Sequence, residues 1–202
     1  MLENVRETSG AKSMKQLTDF ITSHANCREM LIATIFALNK AKIPYALIGS
    51  LARMCYLPDV KPTKDADFLL LADKRPALLN LLPQIPHDSC TTPHHSMLTL
   101  QWSACEVSME FLFATPGFDP ESACVRDTVQ MQFLGKTIRL AKPEYLVWML
   151  VHSPHERHKV AVRQLLSSGC VNKGKLANMM YAAGEYDAMR MLSGIVLNPP
   201  YA

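Results

Sequence analysis

The first half of the chain carries a helical pattern followed by a strand pattern. Between Lys15 and Lys40, apolar residues recur at steps of three and four, which is the period of an α-helix, so we expect one long helix or two shorter ones. IPYALIG, residues 43–49, is a short apolar run closed by glycine, and SLARMCYL after it returns to helical composition. The pattern predicts a strand, a tight turn and a helix.

A second strand and two hairpins are predicted further along. DADFLLL, residues 65–71, is typical of a strand, and ADKRPALLNLL predicts a helix that ends near Pro83. SMLTLQW and CEVSMEFLFA have β-like composition and are separated by only Ser103 and Ala104, which is hairpin spacing. TVQMQFL and KTIRLA flank Gly135 in the same way. His94 and His95 are assigned to a loop.

After Lys142 the pattern becomes helical. PEYLVWMLV opens with proline and glutamate, a good N-terminal signal, and two further helical stretches follow, ERHKVAVRQLLSS and NKGKLANMMYAAGEYDAMRML. We therefore expect an α/β (α+β) fold with two parts: a sheet-bearing core domain with N-terminal helices over residues 1–142, and a C-terminal helical region over residues 143–202.

Composition narrows the class of protein. The chain has 202 residues, 49% of them hydrophobic, which is enough for a real core, and its net charge of only +3 gives no broad footprint for nucleic acid. Six cysteines without a CxxC pair argue against a zinc ribbon or a disulfide framework. No stretch reaches eighteen uninterrupted apolar residues, and the N-terminus lacks an export signal, so we expect a soluble, cytoplasmic protein without a membrane partner.

Two short motifs carry candidate chemistry. Asp65 and Asp67 stand two apart on a predicted strand, so both carboxylates project from one face and can share a divalent ion. Gly49 and Ser50 lie at a strand-to-helix junction, with fourteen residues between Ser50 and Asp65; there glycine permits close approach and free backbone amides can hold phosphate. Neither motif is specific alone, because a solvated strand start or helix caps would explain the aspartates equally well.

Together, the motifs resemble those of the nucleotidyltransferase superfamily, which includes DNA polymerase beta, aminoglycoside nucleotidyltransferases and abortive-infection toxins of toxin-antitoxin systems. The family pattern is an apolar strand ending in Gly-Gly or Gly-Ser, a helix, and then Arg-x-Thr-x-Asp-x-Asp running into apolar residues. Here it reads ALIGSLARM and then KPTKDADFLLL, with Lys61 in place of arginine and with Thr63, Asp65 and Asp67 matching. GKTIRLAKPEYLVWML also looks like a segment of the toxin-related members, so the chain most resembles the abortive-infection toxin-type, or minimal, nucleotidyltransferases.

A third carboxylate normally follows on a later strand of these proteins, and MEFLF places Glu110 there, as glutamate instead of the usual aspartate. Glu106 competes with it, because Glu106, Ser108 and Glu110 alternate to one face of the same strand. Glu110 is favoured over Glu106, since its apolar neighbours fit the family pattern better.

The resemblance implies a mixed, twisted sheet flanked by helices, and transfer of a nucleoside monophosphate from a nucleoside triphosphate to a hydroxyl. It implies Asp65, Asp67 and Glu110 as catalytic ligands of Mg²⁺ (or Mn²⁺). The nucleotide would be held by Gly49, Ser50, Arg53, Lys61, Thr63 and Lys64. The acceptor stays open between RNA, a protein and a small molecule, and a toxin would have a cognate antitoxin as its partner. Two alternatives also stay open: an inactive module that only binds a nucleotide or a partner, and an aminoglycoside-type nucleotidyltransferase.

Three histidines, His152, His155 and His158, are spaced three apart in HSPHERH, and on a helix they would suggest zinc. Pro154 disturbs that geometry, and no further ligand completes the set. Surface histidines are the favoured interpretation.

Overall fold

The computed structural model describes residues 25–58, 60, 65–94, 96–103, 108–115, 119–133, 135–153 and 155–197. The chain divides into two compact units, Met1–Ala141 and Lys142–Ala202. Whether these units are independent domains stays a prediction.

The described part of the first unit contains a seven-stranded sheet and four α-helices. The strands are β1 Tyr45–Leu47, β2 Asp65–Leu71, β3 Ser89–His94, β4 Met97–Gln101, β5 Ser108–Ala114, β6 Thr128–Phe133 and β7 Lys136–Ala141. The helices are α1 Ala25–Lys40, α2 Gly49–Met54, α3 Arg75–Leu79 and α4 Asp119–Arg126, with short 3-10 turns at Ala72–Lys74 and Leu82–Gln84.

The sheet is mixed, with strand order β3-β4-β5-β2-β1-β7-β6. The neighbouring pairs β2–β5 and β1–β7 are parallel, whereas the remaining four pairs are antiparallel. β2 lies at the centre of this order, with β1 on one side and β5 on the other. This central position determines where its two aspartates meet the rest of the sheet.

One face of β2 and β5 forms the core. Ala66, Phe68 and Leu70 alternate with more exposed residues along β2, and their side chains are buried. The Phe68 ring stacks on Phe111 of β5 with centroids 5.3 Å apart and meets Tyr45 of β1 edge-on at 5.7 Å. Burial of these rings stabilises the sheet, and the alternation of side chains along a strand directs the intervening residues to the opposite face.

The second unit consists of four described helices: α5 Pro143–Val151, α6 Glu156–Ser167, α7 Lys173–Ala182 and α8 Tyr186–Leu197. The loop between α6 and α7 is tied to the first turn of α5, because the Asn172 amide donates to Glu144 at 2.6 Å. Asn172 also caps α7, since its side chain accepts from the Lys175 amide. Within the described residues, no helix is both long and apolar enough to cross a membrane.

The expected α/β fold with a mixed sheet is confirmed, and so are the strand at residues 65–71 and the β6–β7 hairpin. Several boundaries differ. The helix expected over ADKRPALLNLL is broken into α3 and two 3-10 turns. His94 is the last residue of β3 rather than part of a loop, and α4 was not expected. The last helical stretch divides at Gly184, whose φ of 73° belongs to the left-handed region that favours glycine.

Candidate functional site

Asp65 and Asp67 lie at the start of β2 on the face opposite the core. The parallel pairing of β2 with β5 places Ser108 beside Asp65 and Glu110 beside Asp67. Residues directly paired in a sheet project to the same side. Three carboxylates and one hydroxyl therefore share one small area, and all four residues are only partly exposed.

Gly49 packs directly against the Asp67 carboxylate. The chain turns there from β1 into α2, the Ile48 amide donates to the Asp67 carbonyl oxygen at 2.9 Å, and Gly49 has a φ of 65°. A Cβ added to Gly49 would overlap Oδ2 of Asp67. Glycine is therefore required at this position both for its backbone conformation and for the space that Asp67 occupies.

Ser50 and Arg53 are joined on α2. The Arg53 guanidinium donates from Nη2 to Ser50 Oγ at 2.7 Å. Its positive charge also lowers the pKa of Asp67, although this effect is smaller than the opposing ones. Arg53 therefore holds the Ser50 hydroxyl and lies near enough to Asp67 for its charge to act on that carboxylate.

Ser108 orients Asp65. Its hydroxyl donates to Oδ1 of Asp65 at 2.7 Å across the β2–β5 pair. Oδ1 of Asp65 is therefore held in place by the neighbouring strand. Hydrogen bonds of this kind from a neighbouring residue fix the direction of a metal-binding side chain.

Asp67 is the most perturbed of the carboxyl groups. Burial raises its pKa to about 7, with further increases from the charges of Glu110 and Asp65 and from a hydrogen bond with Glu110. Burial and the charge of Asp65 also raise the pKa of Glu110, whereas its hydrogen bond with Asp67 lowers it. The hydrogen bond between them raises the pKa of Asp67 and lowers that of Glu110, so it favours a proton on Asp67, because neighbouring ionised carboxylates repel each other.

This concentration of negative charge suits a divalent cation. Among the described residues, no group of three His, Cys, Asp or Glu side chains is arranged to hold a metal ion. Magnesium does not need such a group, since it is commonly bound through one or two carboxylates together with water and substrate phosphates. Asp65 and Asp67 fit that requirement, because the two lie on one face of one strand.

Comparisons with known proteins bear on the fold. No protein-family model matches the chain, and neither does any curated protein. Among solved structures, a solution structure of the antibiotic-resistance factor ANT(2'')-Ia aligns with 80% of this chain and 94% of its own at a TM-score of 0.52 and 15% identity. The chain has a nucleotidyltransferase-like fold. A crystal structure of ANT(2'')-Ia in complex with adenylyl-2''-tobramycin gives the same TM-score of 0.52, at 12% identity over 77% of this chain and 95% of that one.

A crystal structure of the lincosamide antibiotic adenylyltransferase LnuA with lincomycin bound aligns less well, with a TM-score of 0.47 and 14% identity over 69% of this chain and 96% of that one. At these identities the likeness concerns the nucleotidyltransferase-like fold alone.

The nucleotidyltransferase-like fold brings together most of the residues selected from the sequence. Asp65, Asp67 and Glu110 lie side by side on β2 and β5, and Gly49 touches Asp67. Ser50 and Arg53 follow on the next helix. Lys61, Thr63 and Lys64 lie outside the described residues, as does Glu106, the competitor of Glu110.

Sequence reasoning gave Ser108 no role. The alternation of Glu106, Ser108 and Glu110 placed it on the face of the carboxylates, but its partner depends on the register between β2 and β5. That register is a tertiary property, which a single sequence does not contain. The hydrogen bond to Asp65 therefore emerges only in the fold.

The three histidines make contacts within the helical unit. His152 has Nδ1 2.6 Å from the Trp148 carbonyl oxygen and Nε2 3.0 Å from Glu185, whereas the rings of His155 and His158 contact each other edge-on at 5.5 Å. Each ring is thus explained by contacts within the helical unit, and within the described residues no three-ligand group includes them.

Proposed function

We propose that this protein is a nucleotidyltransferase that moves a nucleoside monophosphate from a nucleoside triphosphate to a hydroxyl group. The observation that carries the proposal is the meeting of Asp65, Asp67 and Glu110 on one face of the sheet, with Asp67 packed against the strand-to-helix turn at Gly49. Neighbouring carboxylates repel one another unless a cation is bound. Beside a turn that begins with glycine, such a group suits a bound metal-triphosphate.

Asp65 and Asp67 would hold Mg²⁺ or Mn²⁺, an ion that neutralises phosphate charge and acidifies the attacking hydroxyl when it is bound. Ser108 keeps Asp65 in place by holding Oδ1. Glu110, beside Asp67 on β5, is the third catalytic carboxylate and the proposed ligand of a second ion on the acceptor side. The acceptor oxygen attacks the α-phosphorus, and the bond to pyrophosphate breaks in line.

The donor nucleotide is assigned to the β1 side of the carboxylates. Backbone amides in the first turn of a helix have no carbonyl partner inside that helix, so those at Gly49 and Ser50 suit phosphate oxygens. Arg53 adds positive charge near the same turn. The sequence resemblance adds Lys61, Thr63 and Lys64 to this nucleotide-binding set.

The test is incubation of the purified protein with each α-labelled nucleoside triphosphate, Mg²⁺ and total cell extract, followed by separation of RNA, protein and small molecules. We expect label to enter one fraction, and the transfer to disappear in Asp65→Asn and Asp67→Asn. Transfer that persisted unchanged in both variants would contradict the proposal.

A second candidate function is a module that binds a nucleotide without transferring it. Glu110 favours this alternative, because aspartate is usual at that position in the resembling family, and within the described residues the three carboxylates do not form a ready metal group. Calorimetry separates the two functions. Triphosphate binding without turnover on any acceptor fraction indicates the module.

Two finer assignments of the acceptor follow from different likenesses. The resemblance of the sequence to abortive-infection toxins favours RNA or a protein, with a cognate antitoxin as partner. The structural neighbour solved with adenylyl-2''-tobramycin favours a small molecule. The fraction that takes the label in the extract experiment decides between them.

A further inference from the structure

Helix α1 is apolar on two sides. One side lies in the core of the first unit, where Leu31 is 4% exposed and Ile35 is 1% exposed. The other side carries Ile32 and Ala33, which are partly exposed, and Phe36, which is 49% exposed. A surface helix normally has polar residues on its outer side. The apolar outer side of α1 is therefore a candidate surface for another molecule to cover.

The outer side of α1 forms one wall of a groove of about 560 Å³. Lys136, the first residue of β7, lines the same groove, and so do Arg28 and Glu29 from the first turns of α1. Arg28, Ile32 and Phe36 follow one another at intervals of four residues, so the groove runs along a ridge of the helix surface. Such ridges are the surfaces on which a second helix packs.

The groove and the carboxylates lie on opposite faces of the sheet. Lys136 and Leu140 lie on one face of β7, because they are four residues apart. Leu140 pairs with Leu47 of β1, and Leu47 pairs with Phe68 of β2. Directly paired residues share a face, and Phe68 belongs to the core face of β2, away from the two aspartates. A molecule in the groove and a nucleotide at the carboxylates would therefore not compete for space.

Positive charge lies at both ends of the apolar side of α1. Nζ of Lys136 lies 4.9 Å from the centroid of the Phe36 ring, and Nζ of Lys40 lies 6.0 Å from it. Arg28 is about two helical turns away from Phe36. In the part of the chain that the structure describes, none of these three cations forms an ion pair. Among the described residues that line the groove, Glu29 alone is acidic, so positive charge is in excess.

This combination of charge and apolar surface favours one kind of occupant. An amphipathic helix that carries acidic residues beside its own apolar stripe is complementary both to the groove and to its cations. A second copy of this chain, docked groove to groove, would bring like charges together. A nucleic acid would meet the cations but would leave the apolar residues of the groove in water.

We propose that the groove along α1 binds an acidic amphipathic helix of a partner protein. Its apolar residues would pack on Ile32 and Phe36, and its acidic residues would pair with Lys40 and Lys136 at one end and with Arg28 at the other. Arg28 and Lys40 are twelve positions apart, which is about 18 Å along a helix axis, so the docked helix has about 12–15 residues. This inference does not depend on the proposed function.

Two labelled model peptides test the charge preference with the full-length protein. The first is a helix of about 14 residues with leucines at helical spacing and glutamates on both flanks of the leucine stripe. The second has lysine at every glutamate position. By fluorescence anisotropy, we expect the glutamate helix to bind at least about tenfold more tightly, with an affinity that falls as salt is raised. Absence of binding, or equal binding of the two peptides, would overturn the inference.

Substitutions in the groove test where the glutamate helix binds. Phe36→Ala should weaken its binding about tenfold or more, because aromatic anchors carry much of the affinity of such interfaces. Leu79→Ala is the matched control, since Leu79 is 42% exposed on α3 and is not among the residues that line the groove. Lys136→Glu should weaken binding of the glutamate helix and strengthen binding of the lysine helix. If Phe36→Ala and Leu79→Ala had equal effects, or if Lys136→Glu changed neither affinity, the inference would be wrong.

Urea unfolding and sedimentation show whether the groove is free to accept a partner. We expect Phe36→Ala and Leu79→Ala to unfold at nearly the same urea concentration, as exposed residues should, and the wild-type protein to sediment as a monomer. A loss of stability in Phe36→Ala as large as that of a core substitution would show that the chain itself covers the groove. A wild-type dimer that dissociates in Phe36→Ala would show that a second copy covers it. Either result would overturn the inference.

Discussion

Two structural requirements favour glycine at position 49, and a comparison with Gly135 separates them. Its positive φ disfavours any other residue, and its Cα leaves no room for a Cβ beside Asp67. Gly135, in the β6–β7 turn, has a similar φ of 73°, but a Cβ there would meet nothing within 4 Å. Both glycines therefore have the unfavourable φ, but only Gly49 lacks space for a Cβ.

We expect Gly49→Ala to lower the free energy of unfolding by clearly more than Gly135→Ala. The backbone strain shared by both variants costs about 1–2 kcal/mol, and only Gly49→Ala must also displace the Asp67 carboxylate. Urea unfolding measures both variants. Nucleotide binding by calorimetry should be lost in Gly49→Ala and kept in Gly135→Ala. Equal destabilisation of the two proteins would show that the contact with Asp67 is unimportant.

Ser108 is a positioning residue, because it acts through Asp65 rather than on the nucleotide. In Ser108→Ala the carboxylate loses the donor at Oδ1, and we expect the affinity for Mn²⁺ to fall about tenfold, at the lower end of the effects seen when such partners are removed. Ser108→Thr keeps the hydroxyl and should restore the affinity. Calorimetric or paramagnetic Mn²⁺ titration measures this without any turnover. A purely structural role would change thermal unfolding and leave Mn²⁺ affinity as it was.

At the scale of the helices, the loop between α7 and α8 is bonded to α5 through one side chain. Glu185 accepts a hydrogen bond from Trp148 Nε1 at 2.7 Å, and the same oxygen lies 3.0 Å from His152 Nε2. One carboxylate therefore ties the α7–α8 loop to the end of α5. The side chain of Glu185 is 15% exposed, so the indole N–H would lose its acceptor in a largely dry place if the glutamate were removed.

We expect Glu185→Ala to lower the free energy of unfolding by about 1–3 kcal/mol, because it leaves a buried donor unsatisfied. Asp187→Ala is the matched control. That aspartate pairs with Arg190 at 3.4 Å on the surface, where both side chains are more than 80% exposed, and such pairs contribute little. Chemical denaturation followed by Trp fluorescence compares the two. A loss as small as that of the control would mean that water replaces the glutamate.

The strands and helices differ in how well the sequence predicts them. β2 was predicted with its correct ends, because two acids on one face alternate with apolar residues before a fully apolar run. β3, SCTTPH, was missed: it is an edge strand whose described side chains from Ser89 to Thr92 are exposed, so it lacks the apolar alternation that marks a strand. α4, DPESACVR, is only eight residues long, which is too short for its apolar residues to display a clear helical period.

At the scale of the whole molecule, ionisation of Asp67 lowers the free energy of unfolding. The pKa of Asp67 is raised to about 7 in the folded protein, so between about pH 4 and pH 7 the folded state holds a proton that the unfolded state has released. The free energy of unfolding should therefore fall as the pH rises through this window and then level off. The slope is at most about 1.4 kcal/mol per pH unit for one group.

Asp67→Asn removes that dependence. Without divalent cations, we expect the variant to be more stable than the wild type at pH 8, with the difference shrinking toward pH 4. Urea unfolding of both proteins across this range measures the difference, in which other titrating groups largely cancel. A constant difference at all pH values would contradict the assignment of the proton to Asp67.

The candidate site was predictable in part. Gly49 with Asp65 and Asp67 is a local pattern, since each motif lies within one strand or one turn and can be recognised from neighbouring residues. The choice of Glu110 and the partnership of Ser108 with Asp65 depend on which strands are neighbours. The contact between Ser108 and Asp65 joins residues 43 positions apart, and no local periodicity encodes it.

Because Gly49 contacts Asp67, the effects of mutations at these two positions should depend on each other. A larger residue at position 49 should be tolerated when position 67 loses its carboxylate, so selection for soluble expression of a Gly49→Ser protein should return second-site suppressors such as Asp67→Gly. Those revertants would recover folding and not nucleotide handling. In homologues that lost catalytic activity, the constraint on both positions would disappear together. Substitution of both Gly49 and Asp67 would then mark the loss of activity.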